Sequence, residues 1–279
     1  MNPAAAIRHL FELPLFPESA MGKYGGTVIH SRRDEAGLIE VVEAHGVRAL
    51  HFGTESRQSA MALAAPERLE FPYLRAMLIG LVWVPAPRRI LVLGLGGGSL
   101  IRFLLSHYPE ARIEVVESRA AMVEVAREYF GLPEQPGLSI GIADGGEHMN
   151  RLVSKGDPGF DLILVDIFDD EGLAPAVMRH DFFAAVISLL CTGGVACVNL
   201  WSSHAVSFRA VMRLIKLYFP GSAFSLPVMG RGNVIGVGMQ REVRFPRLKD
   251  CLPMAQRLEQ CLGIEFSRLL HRLAPPLPR

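Results

Sequence analysis

Acidic residues follow three of the chain's apolar runs, each at the point where the run ends. Glu117 closes the run RIEVVE, Asp144 and Gly145 follow LSIGIA, and Asp166 closes DLILVD, with Asp169 three residues later. A carboxylate at such a position can accept hydrogen bonds from hydroxyl groups or take a proton from a reacting amine. Because an open parallel sheet binds its ligand beyond the carboxyl ends of its strands, we expect these side chains to share one pocket.

A glycine-rich turn precedes the three runs. The sequence ILVLGLGGGS at 90–99 is an apolar run that ends in Gly94, Gly96 and Gly98, called here the glycine loop (94–98). It predicts a strand, a tight turn and a helix, because glycine lets backbone N–H groups and a helix N-terminus approach a ligand closely. The alternative interpretation is a close-packed loop without a ligand.

The spacing indicates which ligand the loop would bind. Glu117 lies 23 residues after Gly94, which is the place of a ribose-binding carboxylate in a nucleotide-binding βαβ unit. Gly94, Gly96 and Gly98 form GxGxG, whereas the dinucleotide fingerprint places its third small residue at position 99, here Ser99. The pattern tolerates either ligand but favours one without a pyrophosphate. With Asp144 placed to meet an adenine amino group, the set predicts S-adenosylmethionine or a relative. The alternative interpretation is that these acids only cap strand ends and face solvent.

The composition is that of a chain with one large or two modest domains. It has 279 residues, 50% of them hydrophobic, and a net charge of +1. The 29 Lys and Arg residues are balanced by 28 Asp and Glu residues and are scattered, so we expect no nucleic-acid partner. The four cysteines lack the spacing of a metal site, so we expect no metal and a cytoplasmic location.

Two segments resemble export or membrane signals only in part. The N-terminal sequence MNPAAAIRHLFELPLF contains charged residues where a signal peptide needs an unbroken apolar core. Residues 182–201 are uncharged and long enough to cross a bilayer, but Gly193 and Gly194 divide them into a predicted buried helix and a predicted buried strand. We therefore expect no association with a membrane.

The predicted elements divide the chain into four parts. These are an irregular segment (1–35), a small β-rich unit with a proline-containing connector (36–87), a nucleoside-binding catalytic domain (88–240), and a C-terminal helix and tail (241–279). In the second part, apolar runs around His45 and Gly46 predict a hairpin. In the third, alternating strands and helices predict a parallel sheet. The expected fold class is α/β, with a Rossmann-like sheet of the S-adenosylmethionine-dependent methyltransferase type and a small N-terminal β unit.

Six motifs, taken in chain order, resemble the spermidine synthases and spermidine-synthase-like proteins, which are polyamine aminopropyltransferases. They are GTESRQS, LEFPYLRAM, VLGLGGGS, VVES, ADGGEH and VDIFDD, and the resemblance covers residues 39–202. It implies a transferase of polyamine biosynthesis that moves an aminopropyl group from decarboxylated S-adenosylmethionine to a small-molecule amine. It also implies a homodimer.

The resemblance gives roles to several residues toward the donor. Gln58 and the glycine loop would hold the thioether and aminopropyl part of the donor. Glu117 would bind the ribose, and Asp144, with Gly145 beside it, would bind the adenine. These assignments agree with the roles that spacing alone predicts for Glu117 and Asp144.

Another group of residues is expected to meet the acceptor amine. The resemblance implies that Asp166 is the base that removes a proton from the amine and that Asp169 helps to position it. It also places Tyr73 at the amine substrate. Asn199 and Trp201 end a predicted strand at the same edge, where an aromatic ring can pack against the alkyl part or the cation of an amine. Core packing is the alternative role of Trp201.

Three departures from the family pattern bear on the substrates. Gly97 stands where the family has an acid that binds the donor amino group. Leu74 replaces a histidine after Tyr73, and the loop after Asp166 reads IFDDEGLAP rather than the serine-containing DSSDP type. Gly97 would leave room for a donor carboxylate, which favours methyl transfer from intact S-adenosylmethionine as the alternative function. A non-catalytic nucleoside-binding protein is the second alternative.

Overall fold

The computed structural model describes residues 22–157, 159–169, 172–230, 232–240 and 247–275, without the side chains of Asp169 and Gly172. This part of the chain contains a four-stranded antiparallel sheet, a seven-stranded mainly parallel sheet and a two-stranded ribbon. The arrangement confirms the predicted α/β class with a small N-terminal β unit.

The small sheet is a meander in which strands adjacent in sequence pair with each other. Its strands are β1 (Thr27–Asp34), β2 (Gly37–Ala44), β3 (Val47–His51) and β4 (Arg57–Ala62). β2 and β3 pair around His45 and Gly46, whose φ angles of 49° and 74° suit a two-residue turn that matches the strand twist. The predicted hairpin is confirmed. β1 lies within the stretch expected to be irregular, because its mostly polar side chains gave no strand signal and its main-chain pairing with β2 defines it.

The remaining strands form the ribbon and the large sheet. In chain order they are β5 (Arg89–Leu93), β6 (Arg112–Glu117), β7 (Leu138–Ile142), β8 (Phe160–Val165), the ribbon strands β9 (Phe168–Asp169) and β10 (Gly172–Leu173), β11 (Leu190–Trp201), β12 (Ala223–Pro227) and β13 (Asn233–Met239). Across the large sheet the order is β12-β13-β11-β8-β5-β6-β7. The last five strands are parallel, so their carboxyl ends meet along one edge.

Helices cover both faces of the large sheet. They are α1 (Pro72–Met77), α2 (Ser99–His107), α3 (Ala120–Phe130), α4 (Gly145–Ser154), α5 (His180–Leu189), α6 (Ala205–Tyr218), α7 (Leu252–Leu262) and α8 (Phe266–Arg272). Ile90 and Val92 of β5 pack with α1, α2, α7 and α8, whereas Leu91 and Leu93 pack with α4, α5 and α6. Burial on both faces explains why the parallel strands are nearly continuous apolar runs.

Helix α3 joins the small sheet to the large one. Met122 and Val125 pack against Ile39 and Leu50 of the small sheet, while Ala126 belongs to the core beneath the large sheet. The small sheet is therefore held beside the edge at which the parallel strands end.

The C-terminal part contains two helices rather than the predicted one. Gly263 ends α7 with a φ angle of 66°, a left-handed conformation that glycine adopts readily, and α8 begins three residues later. Leu258 of α7 and Leu270 of α8 both enter the core of the large sheet. Among the described helices, none is both long enough and apolar enough to cross a membrane.

Candidate active site

A cavity of about 1280 Å³ opens where the strands of the large sheet end, and the small sheet forms its opposite wall. This volume accommodates a nucleoside together with a second small molecule. The predicted site residues on the wall are Gln58, Tyr73, Gly96, Glu117, Asp166, Asn199 and Trp201. The wall also includes Phe71, Arg119, Phe168, His204 and Asn233, to which the sequence analysis gave no role.

The glycine loop turns against the end of β8. Gly94 has a φ angle of 96°, and a β carbon there would lie 2.2 Å from the carbonyl oxygen of Asp166. Glycine alone meets both constraints. Gly96 lines the cavity, whereas Gly98 precedes α2, with Leu132 behind it. Of the three predicted glycines, Gly96 therefore lies on the cavity wall, and Gly94 and Gly98 shape the loop.

A buried arginine that the sequence analysis did not identify supports this loop from behind. Arg102 on α2 donates to the carbonyl oxygen of Gly97 over 2.6 Å and to Ser99 Oγ over 3.2 Å. Burial lowers the pKa of Arg102 to about 10. Its hydrogen bonds fix the backbone of the loop that carries Gly96.

Glu117 ends β6 with its carboxylate held by backbone donors. Oε2 accepts from the amide of Leu95 over 3.0 Å, and Oε1 accepts from the amide of Arg119 over 2.9 Å. The guanidinium group of Arg119 pairs with Asp34 of the small sheet over 2.7 Å and lies 4.7 Å from the ring centre of Phe52. These contacts give the Glu117 carboxylate one orientation on the cavity wall and bind the small sheet to this side of the site.

Asp166 follows β8, between the ends of β5 and β11. Its carboxylate accepts hydrogen bonds from Asn199 Nδ2, over 2.8 Å, and from the Tyr73 hydroxyl. Burial raises the pKa of Asp166 above its ordinary value, and the two hydrogen bonds act in the opposite direction. Burial and the charge of Asp166 raise the pKa of Tyr73, so its hydroxyl remains a donor. A carboxylate of raised pKa that faces a cavity is suited to take a proton.

Asn199 is itself held by a residue that the sequence analysis missed. Its side chain accepts a hydrogen bond at Oδ1 from Asn233 Nδ2 over 2.9 Å. Asn233 begins β13, which pairs with β12 as an antiparallel hairpin. The sequence gave no signal for the register between β11 and β13 that brings this side chain beside Asn199.

Aromatic side chains form the wall next to Asp166. The ring centres of Phe168 and Trp201 lie 5.5 Å apart, and those of Trp201 and His204 lie 5.8 Å apart. Trp201 is 42% exposed, so it is not the core residue that the alternative interpretation described. This surface can pack against an alkyl chain or a cation.

Two of the predicted donor residues lie apart from the cavity wall. Asp144 is exposed and caps α4, since its Oδ1 accepts from the amide of Glu147 over 2.9 Å. Gly145 is buried, and a β carbon there would lie 3.6 Å from both Ile167 and Leu93. Their adenine role remains a prediction, as does the role of Asp169, whose side chain lies outside the described part of the structure.

The position of the missing family acid, Gly97, is enclosed. A β carbon there would lie 2.7 Å from Ser59 Oγ and 3.1 Å from Phe130 Cδ1. The space left by the absent side chain therefore faces the small sheet and α3. The sequence predicted that Gly97 would leave room in the cavity for a donor carboxylate. The structure contradicts this prediction, because the space beside Gly97 is occupied by Ser59 and Phe130.

Fold and site together define a class of protein. A mainly parallel sheet carries at one edge a glycine loop, a backbone-held glutamate and an aspartate held by an amide, which is the kind of site that nucleotide-binding α/β proteins build at the ends of their strands. Among the described residues, no group of three or more His, Cys, Asp or Glu is placed to hold a metal ion.

Comparison with known proteins identifies the family. Residues 71–231 match the spermine/spermidine synthase domain. The chain is 34% identical over 236 residues to a polyamine aminopropyltransferase of Chromobacterium violaceum, covering 84% of this chain and 88% of that protein. The chain belongs to the spermine/spermidine synthase family, as the motifs predicted.

Solved structures agree with this fold. Human methyltransferase-like protein 13, crystallised with SAH, is 29% identical with a TM-score of 0.65, and the match covers 69% of this chain and 93% of that chain. A probable spermidine synthase from Corynebacterium glutamicum is 21% identical with a TM-score of 0.68, over 82% of this chain and 87% of that chain. The predicted sheet of the methyltransferase type is confirmed.

Proposed function

We propose that this protein transfers an aminopropyl group from decarboxylated S-adenosylmethionine to a small-molecule amine. The observation that carries the proposal is Asp166, a carboxylate that faces the cavity beside the glycine loop and receives hydrogen bonds from Asn199 and Tyr73. Family membership and the relative from Chromobacterium violaceum, which is named a polyamine aminopropyltransferase, support the same reaction.

The reaction is an in-line displacement at carbon. The amine nitrogen attacks the aminopropyl carbon next to the sulfonium sulfur, the new C–N bond forms, and the C–S bond breaks. The electron pair of that bond goes to sulfur, which leaves as the neutral thioether of methylthioadenosine. Asp166 takes the proton that the amine loses. Alignment of the reactants contributes about 7 to 11 kcal/mol, and a placed base about 100- to 10,000-fold in rate.

Donor binding would use the part of the wall formed by the glycine loop, the end of β6 and the small sheet. Glu117 would accept hydrogen bonds from the ribose hydroxyls, and Gln58 with the backbone of Gly96 would contact the thioether region. Asp144 and Gly145, which lie apart from the cavity wall, would contact the adenine where it extends beyond that wall. No metal is needed, because the leaving thioether carries no charge that requires one.

Acceptor binding would use the aromatic wall. Trp201 and Phe168 offer faces to the methylene groups of an amine, and Asp166 attracts its charged nitrogen. Asp169 would position the same nitrogen. A homodimer and a cytoplasmic location remain predictions.

Methyl transfer is the second candidate, favoured by the likeness to a methyltransferase-like protein crystallised with SAH. The position of Gly97 does not add to it, because a side chain there would meet Ser59 and Phe130. Aminopropyl transfer is therefore the better supported reaction.

The test is to incubate the purified protein with each donor and a panel of diamines, and to identify the sulfur nucleoside by mass spectrometry. We expect methylthioadenosine, formed only when an amine is present, and a loss of about 100- to 10,000-fold in Asp166→Asn. Asp250→Asn, an exposed site near α7, is the matched control. Formation of S-adenosylhomocysteine would replace the proposal with methyl transfer. Formation of neither nucleoside would favour a non-catalytic nucleoside-binding protein.

A further inference from the structure

Asn233 reaches Asp166 through one intervening side chain. Asn233 Nδ2 donates to Asn199 Oδ1 over 2.9 Å, and Asn199 Nδ2 donates to Asp166 Oδ1 over 2.8 Å. In the antiparallel pair of β11 and β13, Asn233 is opposite Trp201 and Ile235 is opposite Asn199. The two asparagines are therefore diagonal neighbours on one face of the sheet, close enough for their side chains to bond.

The direction of these bonds determines what Asn199 presents to Asp166. A primary amide carries an acceptor oxygen on one side and donor hydrogens on the other. Because Asn233 donates, it engages Oδ1 of Asn199 and leaves the Nδ2 side directed at the carboxylate. The Asn199 side chain is almost fully buried, with 2% of its surface exposed, so water does not replace a lost partner freely.

We propose that Asn233 is a positioning residue for the transfer reaction: it holds the Asn199 amide with its donor toward Asp166 and so fixes the carboxylate for proton removal from the amine. This inference rests on the proposed function. Asn233 acts through Asn199, and its own amide does not touch the carboxylate.

The surroundings of Asp166 make it dependent on such donors. Burial raises its pKa, and the hydrogen bonds from Asn199 and Tyr73 are the influences that lower it. The other charged or titratable groups on the cavity wall are Glu55, Arg57, Glu117, Arg119 and His204. Among the described residues, the causes acting on the pKa of Asp166 are burial and the hydrogen bonds from Asn199 and Tyr73, so losing one amide donor has a direct effect on the base.

Two variants separate the effect of the size of the Asn233 side chain from the effect of its hydrogen-bond donor. Asn233→Ala removes the donor and frees the Asn199 amide to turn. Asn233→Asp keeps the shape but offers only acceptor oxygens, so Asn199 would direct Nδ2 to residue 233 and its oxygen to Asp166. Ser202→Ala is the control, because the Ser202 hydroxyl bonds the carbonyl of Gly232, beside Asn233, over 2.9 Å without joining the chain of amides.

The first measurement is kcat against pH for methylthioadenosine formation. We expect the acid limb to move upward by about one pH unit in Asn233→Ala and further in Asn233→Asp, with the KM of the donor unchanged. Ser202→Ala should keep the wild-type profile. A uniform loss of kcat at all pH values, or an equal displacement in Ser202→Ala, would overturn the proposal.

The second measurement does not depend on turnover. The ¹³C carboxyl resonance of Asp166, assigned by its loss in Asp166→Asn, is titrated in the ligand-free protein and in both Asn233 variants. An upward displacement of its midpoint supports the positioning role even if the wild type forms no methylthioadenosine, in which case the proposed function alone fails. An unchanged midpoint refutes the role of Asn233 whatever the activity.

Discussion

Gly94 lies in direct contact with the backbone of Asp166. A β carbon on residue 94 would stand 2.2 Å from the Asp166 carbonyl oxygen, and the amide of Asp166 in turn donates to the carbonyl of Leu93 over 2.8 Å. The backbone at the start of the glycine loop and the backbone of the residue proposed as the base are therefore packed directly against each other. A displacement of either one moves the other.

Gly94→Ala should affect activity and stability together. The added methyl group meets the Asp166 carbonyl, and alanine is strained at a φ angle of 96°. Gly131→Ala is the control, since Gly131 ends α3 with a φ angle of 62° and open space around it. We expect Gly131→Ala to cost about 1 kcal/mol with kcat preserved, and Gly94→Ala to cost more and to lower kcat at least tenfold. Chemical denaturation and steady-state kinetics measure the two effects, and equal kcat values in both variants would contradict this coupling.

Glu117→Gln should weaken binding of the nucleoside. Both carboxylate oxygens of Glu117 already accept backbone N–H groups, and glutamine replaces one of these acceptors with a donor. We expect the affinity for methylthioadenosine to fall about tenfold or more by titration calorimetry, while kcat at saturating donor changes less. Glu124→Gln on the exposed face of α3 is the control. Unchanged affinity in Glu117→Gln would place the nucleoside elsewhere.

The sequence was sufficient to predict features that lie at strand ends. The glycines after β5, Glu117 at the end of β6 and Asp166 after β8 all mark the ends of apolar runs, and parallel pairing brings such positions to one edge. Residues that depend on register or side-chain direction were not predictable. Asn233 lies 34 residues beyond Asn199, and only the pairing of β11 with β13 brings the two together.

The sequence could not distinguish two roles of Asp144, a helix N-cap and a ligand contact. An aspartate before a helix is a good N-cap as well as a possible ligand contact, and the structure gives it the cap bond to Glu147. Arg102 shows the converse case. A lone arginine in an apolar helix carried no signal of its own, because its carbonyl partners on Gly97 and Pro66 come from two different loops.

Gly97→Asp, which would restore the acid of the family pattern, should destabilise this protein. The new side chain would start 2.7 Å from Ser59 Oγ and 3.1 Å from Phe130. Overpacking of this kind costs about 1 to 3 kcal/mol. Ser59→Gly in the same chain removes the nearest obstacle, so the double variant should recover part of the lost stability in a thermal melt. Additive losses of stability from the two substitutions would show that contact with Ser59 does not cause the destabilisation in Gly97→Asp.

Asp166→Asn should raise stability at neutral pH although it removes activity. The pKa of Asp166 is raised in the folded protein, first by burial, above its ordinary value of 3.8. Its favourable contribution to folding is therefore complete below that ordinary value, where the carboxyl is neutral in both states, and is lost as the pH rises through the folded pKa. Asparagine has no charge to bury, so the Tm of the variant should exceed that of the wild type by an amount that grows as the pH rises from the ordinary pKa through the raised pKa of the folded state. The expected size is about 2 to 4 °C for each kcal/mol.

Asp157→Asn provides a comparison with the opposite sign. The Arg89 guanidinium, 2.7 Å from the Asp157 carboxylate, lowers the pKa of that group. Asp157 therefore stabilises the fold above its ordinary pKa and loses this effect as the pH falls, so Asp157→Asn should lower the Tm near neutral pH and approach the wild type in acid. Differential scanning calorimetry across this range measures both curves. A Tm for Asp166→Asn that falls below the wild type as the pH rises would mean that Asn199 and Tyr73 outweigh the burial of the carboxylate, and Asp166 would then remain ionised without any cost to the fold.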